Sequence, residues 1–311
     1  EFSLLRGIRQ RDFTKDRKEF SLLRGIRQRD FTKDRKRVIL VRIYISADIE
    51  GVTGVVHSDQ VMPAGAGEYQ RARLQMTKEV NAAARGFFAA GATEIVVNDS
   101  HGLMKNLLIE ELDPRVQLIS GTPKALMMMQ GISKDFDAVA FVGFHAKNGD
   151  RGILSHTISS ATATAIKING KAASEAEINA AIAGEFGVPV IFLSGDQTIC
   201  ADIKKTLPNI ETVTVKEAIT RTSALHLPVV KACHLIEAGA TKALKNLKNC
   251  EIYKPQTPVT IDLVCFNSGL ADNASRCPGS ERVDGRTVRC SAKNFLEAFQ
   301  SLHSMIALAN P

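Results

Sequence analysis

No stretch of this chain approaches the ~20 consecutive apolar residues that a membrane-spanning helix needs. A secretory signal is missing as well: the charge-dense N-terminus leads to no apolar core with a small-residue cleavage site. The expected compartment is therefore the cytoplasm. Cysteine is absent before Cys200. The six that follow (Cys200, Cys233, Cys250, Cys265, Cys277 and Cys290) contain no C-x-x-C pair. That spacing speaks against a zinc knuckle or a disulfide framework and for reduced, mostly buried thiols. The folded body also lacks a charge bias. The net charge is +7, but residues 1–18 and 19–36 are letter-for-letter copies of EFSLLRGIRQRDFTKDRK, each with six Lys/Arg and three Asp/Glu. Together they account for +6, leaving 28 basic against 27 acidic residues elsewhere. The basic balance is thus no footprint for nucleic acid.

Residues 1–36 form a duplicated basic leader. Two identical copies are too few to stack, and solenoid units diverge in sequence. Phe2, Leu5 and Ile8 fall at helical spacing, which would suit a basic amphipathic segment binding a membrane surface or a partner. The expectation adopted is an artefactual or disordered segment (a cloning scar or translated upstream sequence), with the native start near Val41.

The 311 residues, 44% hydrophobic, suffice for one large or two ordinary domains. Three hydrophobic runs each end in metal-type ligands. Val38–Ala47 leads into Asp48-Ile49-Glu50-Gly51, Glu94–Asn98 into Asp99-Ser100-His101, and Asp137–Phe144 into His145. Each has the length of a buried strand. Between the first two, residues 67–90 carry helical periodicity and end at Gly91, making a β–α–β unit with a right-handed crossover. Further strands are expected at Val116–Ile119, Ala165–Ile168 and Val188–Ser194, and helices at Pro123–Gly131 and from Ser174 to Phe186. The tail alternates helices (216–224, 229–247, 292–308) with strands (258–266, 281–291). The fold class expected is α/β, a mostly parallel sheet flanked by helices, with a smaller C-terminal α+β portion. The expected division is leader 1–36, catalytic α/β domain 37–200 and C-terminal portion 201–311.

Ligands in open parallel sheets bind outside the carboxyl ends of the strands. Asp48 and Glu50, two apart at a strand end, are expected to share one face. His101 and His145 arrive from other strand ends. Mixed imidazole and carboxylate donors suit Zn²⁺, a carboxylate can bridge two ions, and paired ions clamp a water and polarise a carbonyl. A further carboxylate is wanted to balance two dications. Ser174-x-x-Glu177 reads as a capping box, which gives Glu177 a structural task, so Glu175 is preferred as ligand. His156 follows the third run's loop and is expected beside the metals as general acid/base or transition-state stabiliser. His57, His226, His234 and His303 lie off this pattern and are read as ordinary surface or core imidazoles, His57 being the least settled. The methionines of PKALMMMQG are read as packing residues.

Ser46-Ala-Asp48-Ile-Glu50-Gly51, Val97-Asn-Asp-Ser-His101, Gly143-Phe-His145-Ala146 and Ser155-His156, in this order, resemble the zinc-dependent D-aminopeptidases, peptidase family M55. The helix Tyr69-x-Arg71-x-Arg73-Leu74-x-Met76-Thr77-x-Glu79-x-Asn81 is similar too. The resemblance runs from about Arg42 to the C-terminal Ala292–Ala309 helix. It implies a cytoplasmic hydrolase of peptide catabolism with two Zn²⁺ per subunit, in a homodecamer whose sites face an internal chamber. It implies Asp48 bridging both ions, Glu50 and His145 completing one set, and His101 and Glu175 the other. His156 matches a histidine described in the family as a nucleophile; water activated by the metals, with His156 assisting, is the mechanism preferred here. Thr157-Ile-Ser-Ser-Ala and Gly195-Asp196-Gln197 depart from the family pattern beside the site, which bears on D-residue preference. An L- or glycyl-aminopeptidase, another amidase, or a non-catalytic peptide-binding transport component are the alternatives.

Overall fold

Two sheets of different character build the body. The structure, a computed structural model, describes residues 40–309. The duplicated leader lies outside these residues. In chain order the first half reads β1 (Arg42–Ala47), α1 (Ala66–Ala89), β2 (Glu94–Asp99), β3 (Val116–Ile119), β4 (Ala138–Phe144), β5 (Ala163–Ile168), β6 (Lys171–Ala172), α2 (Glu175–Glu185) and β7 (Val190–Asp196). There follow α3 (Gln197–Thr206), β8 (Glu211–Thr220), β9 (Ser223–His226), α4 (Val229–Lys245), β10 (Val259–Cys265), α5 (Ser268–Ala274), β11 (Ser280–Arg282), β12 (Thr287–Ala292) and α6 (Phe295–Ala309).

The larger sheet has the order β3-β2-β1-β4-β7-β8-β9. All its pairs are parallel except β8 with β9. Its central strands are buried on both faces, as Val/Ile-rich parallel strands should be. On one face Ile43, Ile45 and Val97 pack with Val80 and Phe87 of α1 and Ile236 and Ala240 of α4. On the other, Tyr44, Phe141 and Leu193 meet Ile178 of α2, Phe299 of α6 and the smaller, antiparallel sheet β11-β12-β10-β5-β6. The α/β class and its α+β addition are as the sequence indicates. The sheets do not part at residue 200. The larger takes β8 and β9 from beyond it, the smaller takes β5 and β6 from before it, and the described residues cluster as one unit.

The strand order places the site. Numbering runs outward on both sides from the β1/β4 pair, so that pair is the topological switch point where such sheets bind ligands. There the strand ends approach closely. Asp48 N–H donates to Val142 O (2.8 Å) and Gly51 N–H to Gly143 O (2.7 Å). A Cβ on Gly51 would collide with the Phe144 carbonyl, and one on Gly143, whose φ is +74°, with the Asp48 carbonyl. These two glycines therefore admit the contact that unites the first and third ligand runs.

Two elements differ from expectation. Pro123–Gly131 forms only a 3-10 turn at Met127–Met129. Met127 sits at φ +44°, outside the right-handed helical region, and the carbonyls of Met127, Met128 and Gln130 accept from Asn98, Ser46 and Tyr44. The backbone bonds that form are only of the i to i+3 kind, such as Gln130 N–H to Met127 O (3.2 Å). Residues 216–224 are not helix but the end of β8, a two-residue turn and the start of β9. The β-branched run of Thr212 to Val215 favours the pleated sheet, and β8 turns directly into β9. The helices α3 and α5, absent from the sequence reading, start at side-chain caps on Asp196 and Asn267.

Candidate metal centre

Asp48 and Glu50 lie just past the end of β1, so they converge through the turn and not through strand alternation. Both are nearly inaccessible, at 2% and 3% exposure. His101 follows β2, His145 follows β4, and Glu175 is the first residue of α2. The capping box at that helix forms as read. Ser174 Oγ accepts from Glu177 N–H, while Glu177 Oε2 accepts from Ser174 N–H at 2.8 Å. Glu177 is thereby occupied, and Glu175 points into the site.

The five side chains meet in two triads sharing Asp48: Asp48, Glu50 and His101, and Asp48, His145 and Glu175, with donor atoms mutually within 4.8 Å in each. Each oxygen of Asp48 faces a different imidazole, Oδ1 to His101 Nδ1 and Oδ2 to His145 Nε2, both 3.5 Å. Glu50 Oε2 lies 3.0 Å from His101 Nδ1, and Glu175 Oε1 lies 3.5 Å from His145 Nε2. The nearest pairing thus joins Glu50 to His101 and Glu175 to His145, the reverse of the pairing implied by resemblance. Glu50 and His145 do also come together, in a third group with His156.

The remaining ring nitrogens are committed to carbonyls, His101 Nε2 to Val61 O (2.8 Å) and His145 Nδ1 to Ala146 O (2.9 Å). A carbonyl only accepts, so the proton sits on that nitrogen and the site-facing one can offer a lone pair. Asp48 Oδ2, Glu50 Oε2 and His145 Nε2 are fully buried and have no hydrogen-bond partner. Acceptor atoms gathered without donors fit a cation. The electrostatics agree. Burial, and then Glu50, push the Asp48 carboxyl up to about 7. Burial lowers His145, but Glu175, Asp48 and Glu50 outweigh it and push the imidazole up to about 10. Burial likewise opposes His101, yet Glu50 and Asp48 hold it well above its ordinary value. A field that draws protons onto buried imidazoles is one that favours a metal ion.

His156 stacks on His145, ring centres 4.2 Å apart and planes 8° from parallel. Its Nδ1 lies 2.9 Å from Leu154 O, which leaves Nε2 toward the site, 3.7 Å from Glu175 Oε1. Burial, then His145, lower its pKa, which favours a neutral imidazole. Ile158 N–H fixes Glu175 by donating to its Oε1 at 2.6 Å. The cavity over this cluster holds about 150 Å³ and has an apolar wall of Met104, Met127, Met128 and Ile158. Two of the methionines read as packing residues thus also face the cavity, which only the fold of their loop reveals. His57 caps the turn Ser58–Gln60, and His226 accepts from Gly54 N–H (2.9 Å) beside the first ligand loop. All six cysteines are free, four of them buried.

Carboxylate and imidazole donors at the switch point of a parallel sheet define a class: metal-dependent enzymes built on an α/β frame. Within it the chain belongs to the D-aminopeptidase family, peptidase M55, whose model matches residues 41–304. It is 34% identical over 270 residues to a D-aminopeptidase of Bacillus subtilis (strain 168), covering 86% of this chain and 98% of that protein. It is similar to the solved structure of the Zn-dependent D-aminopeptidase DppA from Bacillus subtilis, described as a self-compartmentalizing protease. There the TM-score is 0.84, at 34% identity, with 86% of this chain and 98% of that one covered.

Proposed function

We propose that this protein is a di-zinc aminopeptidase that removes the N-terminal residue of short peptides, with D-amino-acid peptides as its substrates. The observation that carries the reading is the pair of buried triads joined at Asp48 with orphaned acceptor atoms. Asp48 would touch both ions, with Glu50 and His101, and His145 and Glu175, completing the sets. When bound, zinc supplies Lewis-acid polarisation of the scissile carbonyl and acidifies an attacking water. The chain's own groups do the rest. Neutral His156, held by Leu154 O, presents Nε2 to accept a proton from the water and return it to the departing amine. Burial of the carboxylates keeps their field strong by excluding water. The apolar wall of Met104, Met127, Met128 and Ile158 receives the substrate beside the metals.

Among the described residues no helix is long and apolar enough to cross a membrane. A cytoplasmic location and assembly into a closed homodecamer remain part of this proposal, supported by the self-compartmentalizing description of the similar structure. Light scattering on the purified protein tests the assembly. The activity is tested with D- and L-alanyl p-nitroanilides and short glycyl peptides, with and without chelator, alongside zinc analysis. D-Alanyl hydrolysis lost to chelator and restored by zinc is expected. Protein holding no zinc and showing no metal-dependent hydrolysis would instead indicate a peptide-binding component.

A further inference from the structure

The loop that carries Glu50 away from β1 is gripped by side chains from three other elements. From β8, Lys216 Nζ donates to the carbonyls of Glu50, Val52 (2.8 Å) and Val55 (2.7 Å). From α1, Glu79 Oε1 accepts from Thr53 N–H (2.9 Å), and from β9, His226 Nδ1 accepts from Gly54 N–H (2.9 Å). Thr53 Oγ1 closes the loop onto Leu227 O (2.7 Å).

Lys216 is the unusual member. It is 1% exposed. Among the described residues no carboxylate lies within 4.0 Å of its ammonium. Burying an ammonium without a counter-ion is costly unless all its protons are bound. Here its three N–H groups meet three carbonyls, the full capacity of the group. Its stem packs in the interior, but the ammonium pairs with no acid within 4.0 Å, and its three hydrogen bonds are all to this one loop. Fixing the Glu50 carbonyl fixes that residue's backbone, and so the direction of its carboxylate. On the neighbouring strand Lys216's register partner is Asp196. Its carboxylate accepts from Ile153 N–H (2.7 Å) and so tethers the loop leading to His156.

We propose that Lys216 is a positioning residue for the metal centre, acting through the backbone of the Glu50 loop. The inference rests on the reading of Glu50 as a zinc ligand. Groups that orient metal ligands from behind typically govern affinity by 10–100-fold. Lys216→Met keeps the length and removes the donors. Its zinc affinity, measured by competition with a chromophoric chelator, should fall at least about tenfold for one of the two ions. Its kcat should fall while KM changes little, and added zinc should restore part of kcat. Ile261→Ala in the antiparallel sheet is the control for lost stability and should keep both ions. Wild-type affinity in Lys216→Met, or equal zinc loss in Ile261→Ala, overturns the inference. Zinc absent from the wild type itself overturns the reading of Glu50 instead. If Lys216→Met does not fold, His226→Ala decides, because it loosens the same loop from a partly exposed position. A several-fold loss of zinc affinity is then expected, and an unchanged affinity overturns the proposal.

Discussion

Asp48 and His156 line one cavity and are expected to fail in different ways. Asp48 belongs to both triads, each of its oxygens facing a separate imidazole. Asp48→Ala should therefore lose both ions together. His156 is anchored to a carbonyl and stacked on His145, beside the donors. His156→Ala should retain both ions and lose roughly 10²–10⁴-fold in turnover, the usual range for a proton-transfer group. Zinc analysis and steady-state kinetics on the two variants separate the roles; two zincs in Asp48→Ala, or undiminished turnover in His156→Ala, would remove the assignment concerned. These residues were legible in the sequence because chemistry is written locally: a carboxylate or imidazole at the end of a buried run. Lys216 was not legible. It lies 166 residues from Glu50 in a strand the sequence suggested was a helix, and its role exists only through backbone carbonyls that any sequence would supply.

At the scale of elements, α2 shows how a local signal directs a side chain. A capping box needs the N3 side chain, so Glu177 is held and Glu175 is released toward the site. The same bond that starts the helix thus aims a donor. Ser174→Ala should destabilise the fold by about 1 kcal/mol, the usual cost of a lost N-cap. It should also weaken zinc binding, because the first turn bearing Glu175 is no longer pinned. Thermal denaturation and chelator competition measure the two effects, and a stability loss with unchanged zinc affinity would show that the cap does not orient Glu175. Sequence reading failed at the Met127–Met129 turn and at the β8–β9 hairpin for different reasons. The first is unwound by Tyr44, Ser46 and Asn98 claiming its carbonyls. The second lies between neighbours in sequence, β7 before it and β9 after it, and its own Thr212–Val215 run is the strand signal that outweighs the helical pattern. Local periodicity holds no record of partners as remote as Tyr44 and Asn98.

At the scale of the molecule, the donors join separate parts of the architecture. Asp48 and Glu50 follow β1, His101 follows β2, His145 follows β4, and Glu175 opens the helix between the two sheets. Three buried carboxylates at one point repel one another unless positive charge sits among them. Zinc should therefore act as a tie between the parallel sheet and α2 as well as a reagent. Binding to the folded state alone stabilises by ~4 kcal/mol at a ligand concentration a thousandfold above Kd. For a body of this size that corresponds to a shift of roughly 10 °C in the melting midpoint. Chelation of the wild type should lower its midpoint by about that amount, with recovery on adding zinc. Asp48→Asn, which keeps the shape but removes the shared charge, should melt at nearly the same temperature with or without chelator. Scanning calorimetry on both proteins decides between a structural tie and a purely catalytic ion: a wild-type midpoint indifferent to chelator, at confirmed loss of zinc, would mean that the buried carboxylates settle their charge by protonation alone, as the raised Asp48 and His145 values already allow in part.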